Sequence, residues 1–443
     1  MVRRILDLVR DDLCLRCGTC VGVCPEETFT LGEHGFPVVQ GDTCTGCGLC
    51  WDVCPGKTEN YENLEAALQG ERMDPGDVDG FIRSVYLGRS SNPVVTRSAT
   101  SGGMTTQLLL YALETGLIQA ALVVGCHPDR PWQPMPVLAR TPEEIQACAR
   151  SKYCVVPSNV SLKEARQIEG KIACVGLPCH VRGLRLLIER DLFWKDKIAF
   201  ILGLYCHQPW DAEVILWMLK RNGIEPAEVK SFEYRGGDWP GWIQARKHNG
   251  VLVTLHPERT DAIVTYPMLT HAPSRCLLCT DGSNRLADLS LGDGWLCRKA
   301  KLEPQHWNTV VVRTSIGESL LEEAREKGAV RLETVHVEDK LGRLASMARE
   351  KHAVSLSLME SRRRWGRPVP DPPRQGTVSP GVPMLRLAAF HFIFFMRRFK
   401  TFRWLLLDFF LYKMRPFRKP LKEMAKRFSS RPSAPSPGTE PKS

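Results

Sequence analysis

Apolar positions along the chain change their period several times, and each change marks an element. Thr105, Leu108, Leu109, Ala112 and Leu113 recur at i, i+3, i+4, i+7 and i+8, one face of a helix that Gly116 ends. Short apolar runs at 81–88, 120–125, 171–176 and 197–205 have the pattern of buried strands. Residues 181–190, reached through the turn Leu177-Pro178-Cys179-His180, read as a helix between the last two. This alternation predicts an α/β domain over residues 81–345. Before it, residues 35–39 give a short strand, and residues 61–80, acidic and broken by Pro and Gly, read as a linker. After it, residues 346–383 read as an Arg/Pro-rich linker, 384–428 as an amphipathic basic-aromatic helical segment, and 429–443 as a disordered Ser/Pro-rich tail.

Length and charge narrow the class. A chain of 443 residues suggests two or three domains, and 43% apolar with 25% charged residues is the composition of a folded protein. The first residues have no secretory pattern, so the 17 cysteines are expected in a reducing, cytoplasmic setting, as thiolates on metal rather than as disulfides. The formal charge of +11 is unevenly placed: residues 361–443 carry a net +15 and residues 1–360 a net −4. Nucleic-acid enzymes carry basic surface on the fold itself, so no nucleic-acid partner is expected.

Cysteine spacing carries the chemistry. Cys14, Cys17, Cys20 and Cys24 follow C-x2-C-x2-C-x3-C before Pro25, and Cys44, Cys47, Cys50 and Cys54 repeat it before Pro55. This is the bacterial two-cluster ferredoxin pattern, in which three close thiolates and one distant thiolate complete each cubane. The expected crossing groups Cys14, Cys17, Cys20 and Cys54 on one cluster, and Cys44, Cys47, Cys50 and Cys24 on the other. A pair of zinc sites is the alternative, but structural zinc takes its ligands in two pairs rather than as triplets plus Cys-Pro. Residues 1–60 therefore read as a two-cluster 4Fe–4S module that conducts single electrons.

Four further cysteines stand where open α/β sheets place ligands. Cys179 and Cys206 lie just past the carboxyl ends of two strands, and Cys276 and Cys279 form another C-x2-C. Together they are expected to hold a third 4Fe–4S cluster. Cys126, Cys148, Cys154, Cys174 and Cys297 lack partners at ligand spacing and read as core cysteines. Thr100-Ser101-Gly102-Gly103 opens the helix at 105–113, where it is either a plain cap or the seat of a phosphate-bearing ligand.

Ser101-Gly102-Gly103 with its helix, Ser151-Lys152-Tyr153, Gly176-Leu177-Pro178-Cys179-His180, Gly203-Leu204-Tyr205-Cys206, and Arg275-Cys276-Leu277-Leu278-Cys279 with Ala287-Asp288 and Gly292-Asp293 carry a resemblance. In order and spacing they resemble the coenzyme F420 hydrogenase/dehydrogenase beta-subunit family, across roughly residues 1–345. The resemblance implies an iron–sulfur flavoprotein oxidoreductase, with FAD, that trades electron pairs with a soluble carrier or substrate such as coenzyme F420. It makes Thr100, Ser101, Gly102, Gly103, Lys152 and Tyr153 the candidate flavin site, with Lys152 a cation for pyrophosphate and Tyr153 a ring to stack or hydrogen-bond. His180 stands where the family often has Gln, and Tyr205 where it often has Phe. Arg235-Gly236-Gly237-Asp238-Trp239-Pro240-Gly241-Trp242 is either a hairpin loop or an aromatic flank for a flat ring.

Hydride carriers trade two electrons and clusters one, and a flavin does both, which suits that cofactor set. Two function classes remain side by side: this enzyme, or an electron-relay subunit without the catalytic flavin that wires a redox partner protein or ferredoxin. In the tail, Phe390, Phe392, Phe394, Phe395, Phe399, Phe402, Phe409 and Phe410 are interleaved with Arg and Lys. Its longest uncharged run, 387–396, is too short to span a bilayer. Such a segment either lies peripherally on the inner face of a membrane or packs on the body or a partner subunit.

Overall fold

The computed structural model describes residues 2–59, 61–70, 78–294, 306–335, 342–372 and 384–414, with 342–347 and 385–387 as backbone alone. Cys297 and the tail 429–443 lie outside the described residues. The N-terminal module is a helix (Val2–Arg10), a small antiparallel hairpin of β1 (Phe29–Leu31) and β2 (Pro37–Val39), and two single-turn helices, Thr19–Gly22 and Leu49–Asp52. Each single turn starts from a glycine in the left-handed region, Gly18 at φ 83° and Gly48 at φ 84°. At Gly18 a side chain would also come within 2.6 Å of the Pro157 carbonyl, so the glycine lets the module lie directly on the larger domain.

That domain contains β3 (Ser84–Ser90), β4 (Ala120–Cys126), β5 (Pro134–Ala139), β6 (Ile172–Gly176), β7 (Ile198–Leu204), β8 (Val229–Gly236), β9 (Trp242–Lys247), β10 (Leu252–Thr254), β11 (Leu289–Asp293), β12 (Asn308–Val312) and β13 (Val330–Thr334). Eight form one sheet in the order β13-β3-β12-β11-β7-β6-β4-β5, and β8, β9 and β10 form a separate antiparallel sheet. The centre, β4-β6-β7-β11, is parallel, and antiparallel strands close both sides. β4, β6 and β7 are apolar throughout because helices cover both faces. Ala121, Val123, Ala173 and Val175 face Leu108, Leu109 and Leu321, whereas Ala120, Leu122, Ile172 and Cys174 face Leu184, Leu187 and Trp194. The parallel strands and β3 all end on one edge, which gathers the loops that carry the candidate chemistry.

Several expectations are corrected. The strand expected at 81–88 is Ser84–Ser90, and the turn at Pro178 is already the first turn of the helix Pro178–Arg190, since Pro is compatible with a helix start. Residues 61–80 are not simply linker: Glu62–Gln69 is a helix whose Leu64 is buried and whose Glu65 pairs with Arg285. Residues 346–364 belong to a long helix, Gly342–Arg364, whose Val354, Leu356, Leu358 and Met359 pack against Ile5, Leu8 and Leu278. The tail forms the helices Met384–Met396 and Lys400–Asp408 and a further turn, Phe409–Lys413. Of the two readings of the tail, packing on the body holds for one face: Leu407 and Leu411 are fully buried beside Trp210, Val214 and Met218, and Trp404 stacks on Trp217 at 5.9 Å.

One carboxylate ties the two units together. Glu59 follows the last module cysteine by five residues and is wholly buried. It accepts from Arg182 at 3.0 Å, from Arg275 at 2.5 Å, and from the amide and hydroxyl of Thr280 at 2.7 Å. Burial alone would raise its pKa, but the two guanidinium groups and the Thr280 bonds prevail and hold it at about 2. The folded value is below the unfolded one, so the stabilisation is complete above the ordinary carboxylate range and is lost as pH falls towards 2. Removing the carboxylate would leave two buried cations unpaired, so Glu59→Ala should cost about 3–5 kcal/mol. The gap in melting temperature between wild type and Glu59→Gln should be widest near neutrality and narrow below about pH 4.3; a gap independent of pH would show that the carboxylate charge is not what matters.

Candidate functional site

Three cavities are each lined by four cysteines. Cys24, Cys44, Cys47 and Cys50 line the first, with Cys44 and Cys47 exposed to solvent. Cys14, Cys17, Cys20 and Cys54 line the second, and Cys179, Cys206, Cys276 and Cys279 the third. The first two sets have the grouping of the crossed ferredoxin pattern. Leu15 lines both the second and the third cavity. Among the described residues no three metal-binding side chains converge closely enough to hold a single ion. The thiols instead surround open space, as a cubane with a ligand at each corner requires.

The electrochemistry of the thiols points the same way. Burial pushes Cys14 and Cys276 up to about 12 and Cys206 up to about 11, and neighbouring thiols add to the rise. Four buried thiolates would need positive charge among them, which iron would supply.

The third quartet is assembled from three loops of the sheet edge. Cys179 sits in the first turn of the helix after β6, Cys206 follows β7, and Cys276 and Cys279 come from the turn Ser274–Leu278 and its end. The Glu59 clamp flanks them, since Arg182, Arg275 and Thr280 are sequence neighbours of these cysteines. From the long C-terminal helix, Lys351 reaches in, buried, and donates to the carbonyls of Cys206 at 2.9 Å and Asp281 at 2.6 Å. Burial would lower its pKa, but the surrounding thiolates more than reverse this, so it stays charged. His180, beside Cys179, is buried and held at about 4, hence neutral, and its Nδ1 accepts from the Leu177 amide.

The candidate flavin residues are brought together only in part. Thr100 accepts the Ser151 amide at 3.0 Å, and Ser101 donates to Asp293 at 2.8 Å. Gly103, at φ 75°, caps the helix Met104–Glu114, whose first amide is taken by the Asn308 side chain. Gly102 faces the backbone of Gly88 and Asn308, where a side chain would come within 2.6 Å, so its lack of a side chain serves packing. Tyr153 stacks on Trp210 at 5.1 Å. Lys152, in contrast, donates to the carbonyls of Cys148 and Ala149 at the end of the helix Pro142–Ala147.

A different cation stands beside Ser101. Arg235 donates from Nη1 to both carboxylate oxygens of Asp293, at 3.0 and 2.9 Å. Its remaining Nη2 is buried, and the guanidinium acts on the Tyr153 phenol by charge and by hydrogen bonding, against the upward push of burial. The segment 235–242 is a β8–β9 hairpin loop. Sequence reasoning missed Lys351 and Glu59, and named Arg235 only as part of the turn-rich segment 235–242, not as a cation. Glu59 adjoins a motif that was recognised; Lys351 carries no sequence signal.

Comparison with known proteins gives the family. Residues 7–59 match the 4Fe-4S dicluster domain, 85–163 the coenzyme F420 hydrogenase/dehydrogenase beta subunit N-term, and 169–338 the C terminus of the same subunit. The chain is 28% identical over 301 residues to the coenzyme F420 hydrogenase subunit beta of Methanothermobacter thermautotrophicus, covering 66% of this chain and 99% of that one. It is 33% identical over 241 residues to an uncharacterized protein of Methanocaldococcus jannaschii, covering 54% and 84% respectively. A chain in the F420-reducing [NiFe] hydrogenase complex of Methanosarcina barkeri superposes with a TM-score of 0.54 at 26% identity, covering 66% of this chain and 97% of that chain.

Two measurements test the thiolate sites. Anaerobically prepared protein should contain about twelve iron atoms, and changing Cys179, Cys206, Cys276 and Cys279 to Ser should leave about eight; twelve in the variant would eliminate the third site. A fixed cation stabilises an added electron, so Lys351→Met should shift one cluster signal to more negative potential in a titration followed by electron paramagnetic resonance, and Lys351→Arg should not.

Proposed function

The chain belongs to the coenzyme F420 hydrogenase/dehydrogenase beta-subunit family, and on that premise we propose an iron–sulfur flavoprotein oxidoreductase that passes electrons between 4Fe–4S clusters and a two-electron carrier such as coenzyme F420. The observation that carries this reading is the succession of three cysteine-lined cavities, from exposed Cys44 and Cys47 to the carboxyl edge of the sheet. A row of such sites suits conduction between a redox partner at the surface and chemistry at the sheet edge. FAD, when bound, supplies the exchange between two-electron and one-electron carriers.

The chain's own residues would hold that cofactor at the edge between β3, β11 and β12. Arg235, held by Asp293 and lying beside the Tyr153 phenol, would offer its positive charge to an anionic group. Ser101, bound to the same carboxylate, holds the loop Thr100-Ser101-Gly102-Gly103 against it. Tyr153, already stacked on Trp210, would present a ring edge and a phenol beside Arg235. Lys152 would act indirectly, by fixing the turn that carries Tyr153. Lys351 and the Glu59 clamp would set the charge and position of the third quartet next to this edge.

Anaerobically purified protein should carry FAD at a ratio near one and reduce or oxidise coenzyme F420 within a panel of soluble carriers. Arg235→Met should lower the FAD ratio while leaving the iron content unchanged. Protein with full iron and no FAD would instead be an electron-relay subunit.

A further inference from the structure

The C-terminal helices have two faces, and the fold uses only one. Inward, Leu407 and Leu411 are fully buried, Arg397 donates to the Ala272 carbonyl, and His256 meets the Leu411 carbonyl at 3.1 Å. Outward, Phe392, Phe395 and Phe399 are 58%, 48% and 55% exposed, and the last two rings touch edge to face at 6.0 Å. Leu405 and Phe409 are also exposed. Scattered apolar residues are ordinary on a protein surface, but neighbouring aromatic rings at helical spacing mark a contact face.

The charge beside these rings is predominantly positive. Arg398, Lys400 and Lys413 are exposed, and Arg398 lies over the Phe395 ring at 5.9 Å. Arg367, also exposed, is close enough to repel Arg398, and Trp365, two residues earlier, is 75% exposed. Asp408 is the one acid in 384–414, and it is turned to Arg221 on the body at 2.7 Å. Asp12 partly offsets Arg398, and Glu360 engages Arg363 and Arg364. Residues 415–443 add a further net +6, whereas residues 1–360 carry −4. An anionic surface would therefore attract this end of the molecule and repel the rest.

We propose that this face seats the protein peripherally on an anionic lipid membrane, with Phe392, Phe395 and Phe399 in the headgroup boundary and Arg367, Arg398 and Lys400 over acidic lipids. The aromatic rings suit the interface, where buried apolar area adds to electrostatic attraction. No helix among the described residues is long and apolar enough to cross a membrane, so the contact is with the surface. Because the helices are already anchored by Leu407, Leu411 and Arg397, they need not fold on arrival.

The test is flotation of the full-length protein with vesicles of phosphatidylcholine alone or mixed with phosphatidylglycerol. Wild type should float with the mixed vesicles, less at high salt, and hardly at all with phosphatidylcholine. Replacing Arg367, Arg398 and Lys400 by Gln should weaken partitioning about a hundredfold, each cation contributing roughly a factor of five. Changing Phe392, Phe395 and Phe399 to Ser should weaken it at least about tenfold. Iron content equal to wild type shows that each variant is folded. Wild type that ignores both vesicle types, or folded variants that float like wild type, would overturn the proposal. Wild-type protein that stays off vesicles but self-associates, with the Phe variant alone monomeric, would assign the face to a protein interface instead.

Discussion

A single buried carboxylate decides how the two units of this protein are related. Glu59 comes from the end of the ferredoxin-like module, but its partners come from the α/β domain: Arg182 on the helix that starts at Cys179, and Arg275 and Thr280 around the last C-x2-C. Charges taken out of water are tolerated only when geometry and hydrogen bonding are both satisfied. Glu59 meets that condition with two cations and two further donors. The module is therefore held by its partners' positions, and the same residues position the cysteines next to them. Arg16, paired with Asp211 at 2.6 Å, adds a second, part-buried link between module and domain.

That arrangement makes the cavities a series rather than three separate sites. Leu15 lines both the second and the third, and Gly18 lets the backbone of the module touch that of the domain at Pro157. The long helix Gly342–Arg364 then covers the junction, supplying Lys351 to the third quartet and an apolar face to the module. This helix lies beyond residue 338, where the match to the family's C-terminal domain ends.

At the sheet edge the controlling fact is topology. Parallel β4, β6, β7 and β11 end together, and antiparallel β12 begins there, so Asn308, Asp293 and the loop before the helix Met104–Glu114 converge although they are far apart in sequence. The antiparallel β8–β9 hairpin delivers Arg235 to the same place. A cation was expected there from Lys152, which lies next to Tyr153 in sequence but spends its ammonium on helix-end carbonyls.

Local rules were enough to read the parts. Cysteine spacing announced the dicluster module and the further quartet, apolar periodicity announced the alternating helices and strands, and charge counting separated the basic tail from the acidic body. These signals are legible because each depends on neighbours a few residues apart. Helices at 62–69 and 342–364 were hidden because polar and charged residues there find partners from distant segments, Arg285 for Glu65 and the carbonyls of Cys206 and Asp281 for Lys351. The tail's sequence showed an amphipathic segment, but only packing decided that Leu407 and Leu411 turn inward while Phe392, Phe395 and Phe399 stay outside. Likewise, the sequence contains Glu59, Arg182 and Arg275 as three ordinary charges. What makes them one clamp is burial, which raises the cost of any unpaired charge until a single arrangement of the two units satisfies all three.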